Sequence, residues 1–429
     1  MTSEVGAQET LSESDKITLS HYLLLGLLTL LNILSMVDRQ LLSSFANFIV
    51  PDLNLTNTEF GLLTGLLFMV FYSFMALIMG ALADMYHRPR LIAAAVFLWS
   101  LCTAASGAAK GFASLALPRM LIGVGESTLS PAAIAMLADK FPPHKRGFAS
   151  GFYYMGVSIG FGVSLLVAGY LGPAIGWRMC FYLLGGLGIA LSLVVLFIND
   201  VPRRQVRDST EKKASVIGQI VDLFAALRQS PALVFTIMGG VCVHGMFGAT
   251  AFDQLWYVQE RGYDRALIAQ TTGWFGVAGG VLGNLIGGIG SDYWRKRTGK
   301  SRLSFLFWVL ILLAPINIYY RLADPDSFFF WLGVFFTFFQ LGVLYGPSYA
   351  TIQELAPPHI CSTVVAFNIL MASVVGVGMS ITASGVLIDY LIEAGNASPY
   401  TVSLLVFTIV SMLSIPVFWL AVRFTPDQQ

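Results

Sequence analysis

Gly80-Ala-Leu-Ala-Asp84-Met-Tyr-His-Arg88 and Gly288-Ile-Gly-Ser-Asp292-Tyr-Trp-Arg-Lys296 decide the architecture. Each segment follows a long apolar run. The glycine, the aspartate and the basic residue recur at one offset: 80 to 288, 84 to 292 and 88 to 296 are each 208 positions apart in a chain of 429. A duplicated unit filling half of the chain explains the coincidence with one assumption.

The runs on either side of these loops set the size of that unit. A bilayer core takes a helix of roughly 20 apolar residues. The first half supplies such stretches at 20–50, 59–83, 91–109, 114–138, 148–171 and 178–198, and the second at 232–258, 267–290, 303–321, 328–354, 362–392 and 401–423. These runs are too long for barrel strands. Composition agrees with lipid as the solvent: 56% of the chain is hydrophobic and 11% charged, where a soluble domain is nearer a quarter charged. The expected fold is an all-α membrane protein of twelve transmembrane helices in two six-helix bundles, 19–198 and 232–424. A net charge of +1 provides no basic field for nucleic acid. Cys102, Cys180, Cys242 and Cys361 are scattered through apolar segments and read as small apolar residues, with no disulfide or metal pattern.

Basic residues orient the bundle. With the N-terminus inside, 18 of the 25 lysines and arginines face the cytoplasm, 5 fall in outer loops, and Arg39 and Arg119 lie within spans. That bias places both termini in the cytoplasm. Residues 1–18 are polar and acidic, without the basic start and cleavage site of a signal peptide, and read as a disordered cytoplasmic tail; 425–429 form a second short tail. In the connection 199–231, Ile217, Ile220, Val221, Phe224 and Leu227 recur at helical spacing. They predict an amphipathic helix on the inner membrane surface, the alternative being a solvated linker.

Several motifs carry a resemblance to a known family. The Gly-x-x-x-Asp-x-x-x-basic loop resembles the signature cytoplasmic loop of the major facilitator superfamily, with His87 where that family usually has glycine. Arg119-x-x-x-Gly123-x-Gly125 is similar to its second motif, and Pro143-x-x-Arg146-Gly147 to its loop between helices 4 and 5. Helix 5 reads Gly156-Val-Ser-Ile-Gly160-Phe-Gly162, without the Gly-Pro of the antiporter motif. Over the first 200 residues, Val37-Asp38-Arg39, Phe97-Leu-Trp-Ser100, Arg119-Met-Leu-Ile-Gly-Val-Gly-Glu126-Ser and Phe152-Tyr-Tyr154 resemble the Spinster branch. That branch includes exporters of sphingosine phosphate and lysophospholipids. The resemblance implies that the aspartate loops latch the cytoplasmic side when the cavity faces out, which gives gating roles to Gly80, Asp84, Arg88, Arg146, Gly288, Asp292 and Lys296.

Asp38, Arg39, Arg119 and Glu126 are ionisable residues inside predicted spans. A charge at bilayer depth costs about 2.5–3.5 kcal/mol on insertion scales, so such residues should pair or face water. Arg119 and Glu126, two turns apart on one helical face, are too distant to bond each other, so each is free to meet a neighbouring helix. In the functional reading, Arg39 and Arg119 hold an anionic substrate group. Asp38 and Glu126 exchange protons, since burial raises a carboxylate's proton affinity and a nearby arginine lowers it. In the Spinster resemblance the same positions line the substrate path. The alternative is an ion-pair cluster that only ties helices 1 and 4. Asn32 and Ser35 extend the polar stripe before Arg39, and His244, Gln340 and Tyr345 are candidates in the second half, though a lone polar residue in an apolar helix serves helix-to-helix bonding as readily. The small-residue spacing of helices 5 and 8 points to close packing.

There is no His-Glu-x-x-His, no metal-spaced carboxylate cluster and no Walker loop, so no catalytic or metal residues are assigned and no cofactor is expected apart from a coupling proton. The expected protein is a secondary active transporter working by alternating access. It is a monomer in a cell membrane (the inner one if the cell is a Gram-negative bacterium), with the bilayer and an amphipathic anion, such as a lysophospholipid or sphingoid phosphate, as its partners. A carrier of small organic anions or drugs, and a membrane sensor without transport, are the alternatives.

Overall fold

The computed structural model describes residues 18–201 and 216–425, and every element in them is helical. Nearly all of the expected tails and residues 202–215 of the connection between halves lie outside the described residues. Among the described residues, eleven helical rods are long and apolar enough to cross a membrane. The first four are α1 (Leu19–Ser44), α2 (Asn57–Gly80, continuing to Met85), α3 (Arg88–Gly107) and α4 (Phe112–Lys140).

The fifth rod, Lys145–Leu196, has 52 residues. At 1.5 Å per residue it would extend about 78 Å, more than twice a hydrocarbon core of about 30 Å. Gly176 interrupts it with φ 80° and ψ 156°, a backbone conformation that only glycine adopts without a steric penalty. We therefore treat 145–175 as α5 and 177–196 as α6. The break falls where the sequence leaves a gap between its fifth and sixth spans, so eleven rods accommodate twelve crossings. The remainder are α7 (Pro231–Gln259), α8 (Arg265–Thr298), α9 (Arg302–Leu322), α10 (Phe328–Leu355), α11 (Pro358–Glu393) and α12 (Pro399–Phe424).

Within the first half, α1 lies on α5, α3 on α6, and α2 and α3 on α4. The glycines of the Arg119-x-x-x-Gly-x-Gly motif explain the last arrangement. A Cβ at Gly123 would sit 2.9 Å from the Phe68 carbonyl oxygen of α2, and one at Gly125 2.9 Å from Trp99 Cβ of α3. Two positions apart on a helix face nearly opposite sides, so α4 is clasped from both. In the second half, α8 and α9 pack on α10, and α7 on α11 and α12. The halves meet along two seams, α5 against α8 and α2 against α11.

The apolar cores follow this plan. One cluster joins both halves at the end of the bundle away from the termini, with Phe45, Phe60, Phe252, Trp256 and Ile381. Toward the termini the clusters separate, one in the first half around Trp99 and Phe141 and two in the second.

Val216–Gln229 forms a helix. Its Leu223 and Ala226 are buried against Leu233, Ile352 and Ile360 at the base of the second half, while Ile220, Val221 and Phe224 stay exposed. Of the predicted stripe, Ile220, Val221 and Phe224 face outward and Leu227 packs on the protein.

Candidate functional site

The site is built on α1, α2, α3 and α4. The α4 rod is regular through Phe112–Glu126, loosens at Ser127–Thr128, and resumes at Leu129–Lys140. Pro131 has no N–H to offer the carbonyl four residues earlier, which is where the helix opens. Glu126 therefore sits at an interruption, and its side chain is fully buried.

Arg39 of α1 reaches it. Arg39 Nε donates to Glu126 Oε2 at 3.0 Å, and Nη2 lies 3.0 Å from the same oxygen. The guanidinium lies 4.3 Å from the centroid of the Tyr72 ring and 5.1 Å from that of Phe68, both on α2. Its side chain keeps 20% of its surface exposed, so one face remains open. Glu126 Oε1 has no hydrogen-bond partner, and Ser35 is the hydroxyl that faces this carboxylate.

Arg119 takes a different role from the one expected. Its Nε donates to the Leu63 carbonyl at 3.2 Å, Nη1 to the Asp38 carbonyl at 3.3 Å and Nη2 to the Arg39 carbonyl at 2.6 Å. The Phe68 ring also lies against it, with its centroid 4.6 Å away. It is buried and spent on backbone carbonyls of α1 and α2, so it positions the segment that carries Asp38 and Arg39 and does not present itself to a ligand. A cation in a desolvated spot binds whichever acceptors are fixed in reach.

Asp38 points away from Arg39, toward α3, where Trp99 and Thr103 are the donors in reach. Both carboxylate oxygens are buried without a hydrogen bond of normal geometry, as are Trp99 Nε1 and Thr103 Oγ1. A buried carboxylate left incompletely bonded is costly.

Arg39 lies over Tyr72 of α2 and near enough to Tyr345 of α10 to interact electrostatically, and Tyr154 of α5 and Tyr349 of α10 lie within the same range of Tyr72. Tyr345 stacks edge-on against His244 at 6.0 Å, and Tyr349 lies 5.9 Å beyond. His244 Nδ1 bonds its own helix at the Gly240 carbonyl, 2.8 Å away. Two other candidates are helix ties: Asn32 Nδ2 donates to the Tyr153 carbonyl at 2.8 Å, and Gln340 Oε1 accepts from Asn317 Nδ2 at 2.6 Å. Asn32 and Gln340 thus each spend one end of the amide on a neighbouring helix. Phe68, Tyr72, Thr103 and Tyr349 were not singled out by sequence reasoning, and Trp99 and Tyr154 entered only as parts of resemblance motifs. A usable signal existed, because Phe68/Tyr72, Trp99/Thr103 and Tyr345/Tyr349 are each four apart and so share a helical face.

The loop residues sort by half. Arg88 Nη1 lies 2.7 Å from Asp139 Oδ2 at the end of α4, and the backbone N–H of Arg88 donates to Asp200 at 3.2 Å. Arg302 Nε lies 2.6 Å from Asp292 Oδ1, and Arg302 and Arg295 share Glu354 at the end of α10. The duplication therefore extends beyond the loop motif. Arg88 and Arg302 open α3 and α9, 214 positions apart, and Asp139 and Glu354 end α4 and α10, 215 apart. Arg146 bonds the nearby Phe141 carbonyl at 3.4 Å, and Lys296 is exposed. The Asp84 side chain lies outside the described residues. Gly80 and Gly288 have room for a side chain on their own helices, though Gly346 of α10 approaches Gly288 closely.

Asp253 and Arg321 form a second buried ion pair, 2.7 Å apart, with the guanidinium against the Trp256 and Tyr320 rings. Arg321, placed in an outer loop by the sequence reading, is 1% exposed. One spacing in α5, Gly156-Val-Ser-Ile-Gly160, has the form of a hydrolase nucleophile elbow. Ser158 lies within a helix, however, and its hydroxyl accepts from Asn284 Nδ2 at 2.7 Å, so the strand-to-helix turn that defines an elbow is missing. No group of three or more metal-ligating side chains occurs among the described residues.

Known proteins match this arrangement. The model of the Major Facilitator Superfamily covers residues 28–380. An MFS-type efflux pump of Mycolicibacterium smegmatis is 27% identical over 355 residues, 82% of this chain and 81% of that protein. Protein spinster of Drosophila melanogaster is 25% identical over 367 residues, 83% of this chain and 60% of that protein. A crystal structure of a bacterial homolog to the human lysosomal transporter Spinster, inward-facing and unoccupied, superposes with a TM-score of 0.82 at 21% identity, covering 95% of this chain and 98% of the other.

Proposed function

This chain belongs to the major facilitator superfamily as a Spinster-like transporter, and we propose that it is a proton-coupled carrier of an amphipathic anion such as a lysophospholipid or sphingoid phosphate, working by alternating access. The observation that carries the proposal is Arg39, a cation open on one face and held on the other by a carboxylate with a free oxygen.

Charge balance supplies the mechanism. Asp38, Arg39, Arg119 and Glu126 sum to zero when all are ionised. An anionic headgroup arriving at Arg39 competes with Glu126 and leaves the buried cluster with one excess negative charge, which a low-dielectric site resists. A proton on Glu126 or Asp38 restores neutrality, so substrate and proton bind best together. Arg119 ties the Asp38 and Arg39 backbone to α2, which gives the two carboxylates a shared mechanical element. The tyrosines around Arg39 supply hydroxyls for the headgroup and rings for the start of an apolar tail.

The test is flux in proteoliposomes under an imposed pH gradient, with Asp38→Asn and Glu126→Gln. Each variant is expected to lose the pH dependence while remaining folded; an unchanged pH profile in both refutes proton coupling. The substrate class is tested by thermal shift across lysophospholipids, sphingoid phosphates and small organic anions, followed by flux. A relative described as an efflux pump favours small organic anions or drugs as the second reading, and stabilisation by these alone would select it. Binding without flux would select the sensor. In this reading the carrier acts as a monomer in a cell membrane.

A further inference from the structure

We propose that Asp389, near the end of α11, is the latch that holds the two halves together on the side away from the termini, and that its release from α2 is the step that opens that side. The inference rests on alternating access as proposed above.

One carboxylate takes four hydrogen bonds from the other half of the protein. Oδ1 accepts from the Asn57 backbone N–H at 3.1 Å and from Asn57 Nδ2 at 2.8 Å; Oδ2 accepts from the Thr58 N–H at 2.7 Å and from Thr58 Oγ1 at 2.6 Å. Asn57 and Thr58 are the first two residues of the helix Asn57–Thr64 that begins α2. The first amides of a helix have no partner within it, and the helix dipole favours a negative charge beside them. Thr56 Oγ1 serves the third amide, Glu59, at 3.1 Å. The first two are served by Asp389, so the start of α2 is completed only when the second half is in place.

The surroundings reinforce the same seam. Tyr400 of α12 donates its hydroxyl to Asn57 Oδ1 at 2.9 Å, so both ends of that amide are held by the second half. A Cβ on Gly385, one turn before Asp389, would come 2.2 Å from the Asn57 carbonyl oxygen, and one on Gly61 2.9 Å from the Ile381 carbonyl oxygen. The two backbones therefore touch, and the carboxylate sits at the end of the contact. Asn47 Nδ2 adds a bond to the Gln254 carbonyl across the halves at 2.6 Å. Toward the termini the described ion pairs, Arg88 with Asp139 and Arg302 with Asp292 and Glu354, each stay within one half. Asp389 is only partly buried, so water can replace its four donors when the seam parts, and the latch is reversible.

The experiment measures spin-label distances in the full chain, with the four native cysteines replaced. One label pair sits at Lys110 and Ala397, exposed on the far side in different halves; a second sits at Arg90 and Arg297 on the termini side. In Asp389→Ala the far-side-open population is expected to rise from the ~0.1–10% of a minor state to a majority, with the termini-side distance shortening in step. Asp389→Asn and Thr58→Val should shift it less. Asp324→Asn, an acid in a local turn on the same side, should leave the distances unchanged. A folded Asp389→Ala protein with wild-type distances overturns the proposal. Should that variant not fold, wild-type distances in both Asp389→Asn and Thr58→Val overturn it equally. The distances need no substrate, so absent wild-type flux would remove the carrier reading and leave this test standing.

Discussion

Both halves of the protein bury an aspartate and an arginine, and they use them differently. In the second half Asp253 and Arg321 pair at 2.7 Å, with the guanidinium walled by Trp256 and Tyr320. In the first half the adjacent Asp38 and Arg39 turn away from each other. Asp38 faces α3 with neither oxygen properly bonded, and Arg39 faces Glu126 while keeping part of its side chain exposed. Burial and charge are common to the two sites. What separates them is an incompletely bonded carboxylate and a cation with one open face. A sealed pair stabilises, whereas an open and unsatisfied one can exchange partners.

The comparison can be broken most forcefully at Arg39. Removing one partner of a buried ion pair costs about 3–5 kcal/mol, which is roughly 10²–10⁴-fold in an equilibrium constant. Arg39→Ala should reduce transport by that order in a liposome assay, and Arg39→Lys should recover part of it. If Arg39→Ala protein is folded by circular dichroism and transports normally, the two sites are equivalent after all.

Arg321→Leu leaves Asp253 buried and alone, so its cost is of the same ~3–5 kcal/mol but falls on stability. Thermal unfolding in detergent should drop markedly, and adding Asp253→Asn should restore much of it. The pH profile of any remaining flux is expected to match wild type. A displaced pH optimum would make Asp253 a second coupling site.

Gln340→Ala tests the neutral mid-membrane contact of the second half and should have the smallest effect. A hydrogen bond between membrane helices averages about 0.6 kcal/mol, so a small loss of thermal stability is expected with substrate affinity unchanged. A large loss of affinity would place Gln340 in the substrate site.

Much of this was legible in the chain. The twelve stretches correspond closely to the rods, because the length of an apolar run is set locally by bilayer thickness. The Glu126 and Arg39 contact was partly legible: two charges in different spans must each find something, but which partner depends on how the helices are rotated. The role of Arg119 was hidden because backbone carbonyls, present at every residue, leave no mark in a sequence. Asp253 and Asp389 fall inside the predicted limits 232–258 and 362–392 and were passed over, since neither belongs to a recognisable motif. The second layer of the duplication, Asp139 and Glu354, was obscured because the acid differs in type between the halves.

By itself the sequence determined the solvent, the order of the crossings and the duplication. These follow from properties that add up along the chain, namely apolar length, the distribution of basic residues and the 208-residue offset. Only the tertiary structure decided that Arg119 is spent while Arg39 stays open, and that α11 closes on the start of α2. Those outcomes join residues 81, 87 and 332 positions apart, and they depend on where each helix turns its face, which packing settles and local pattern does not.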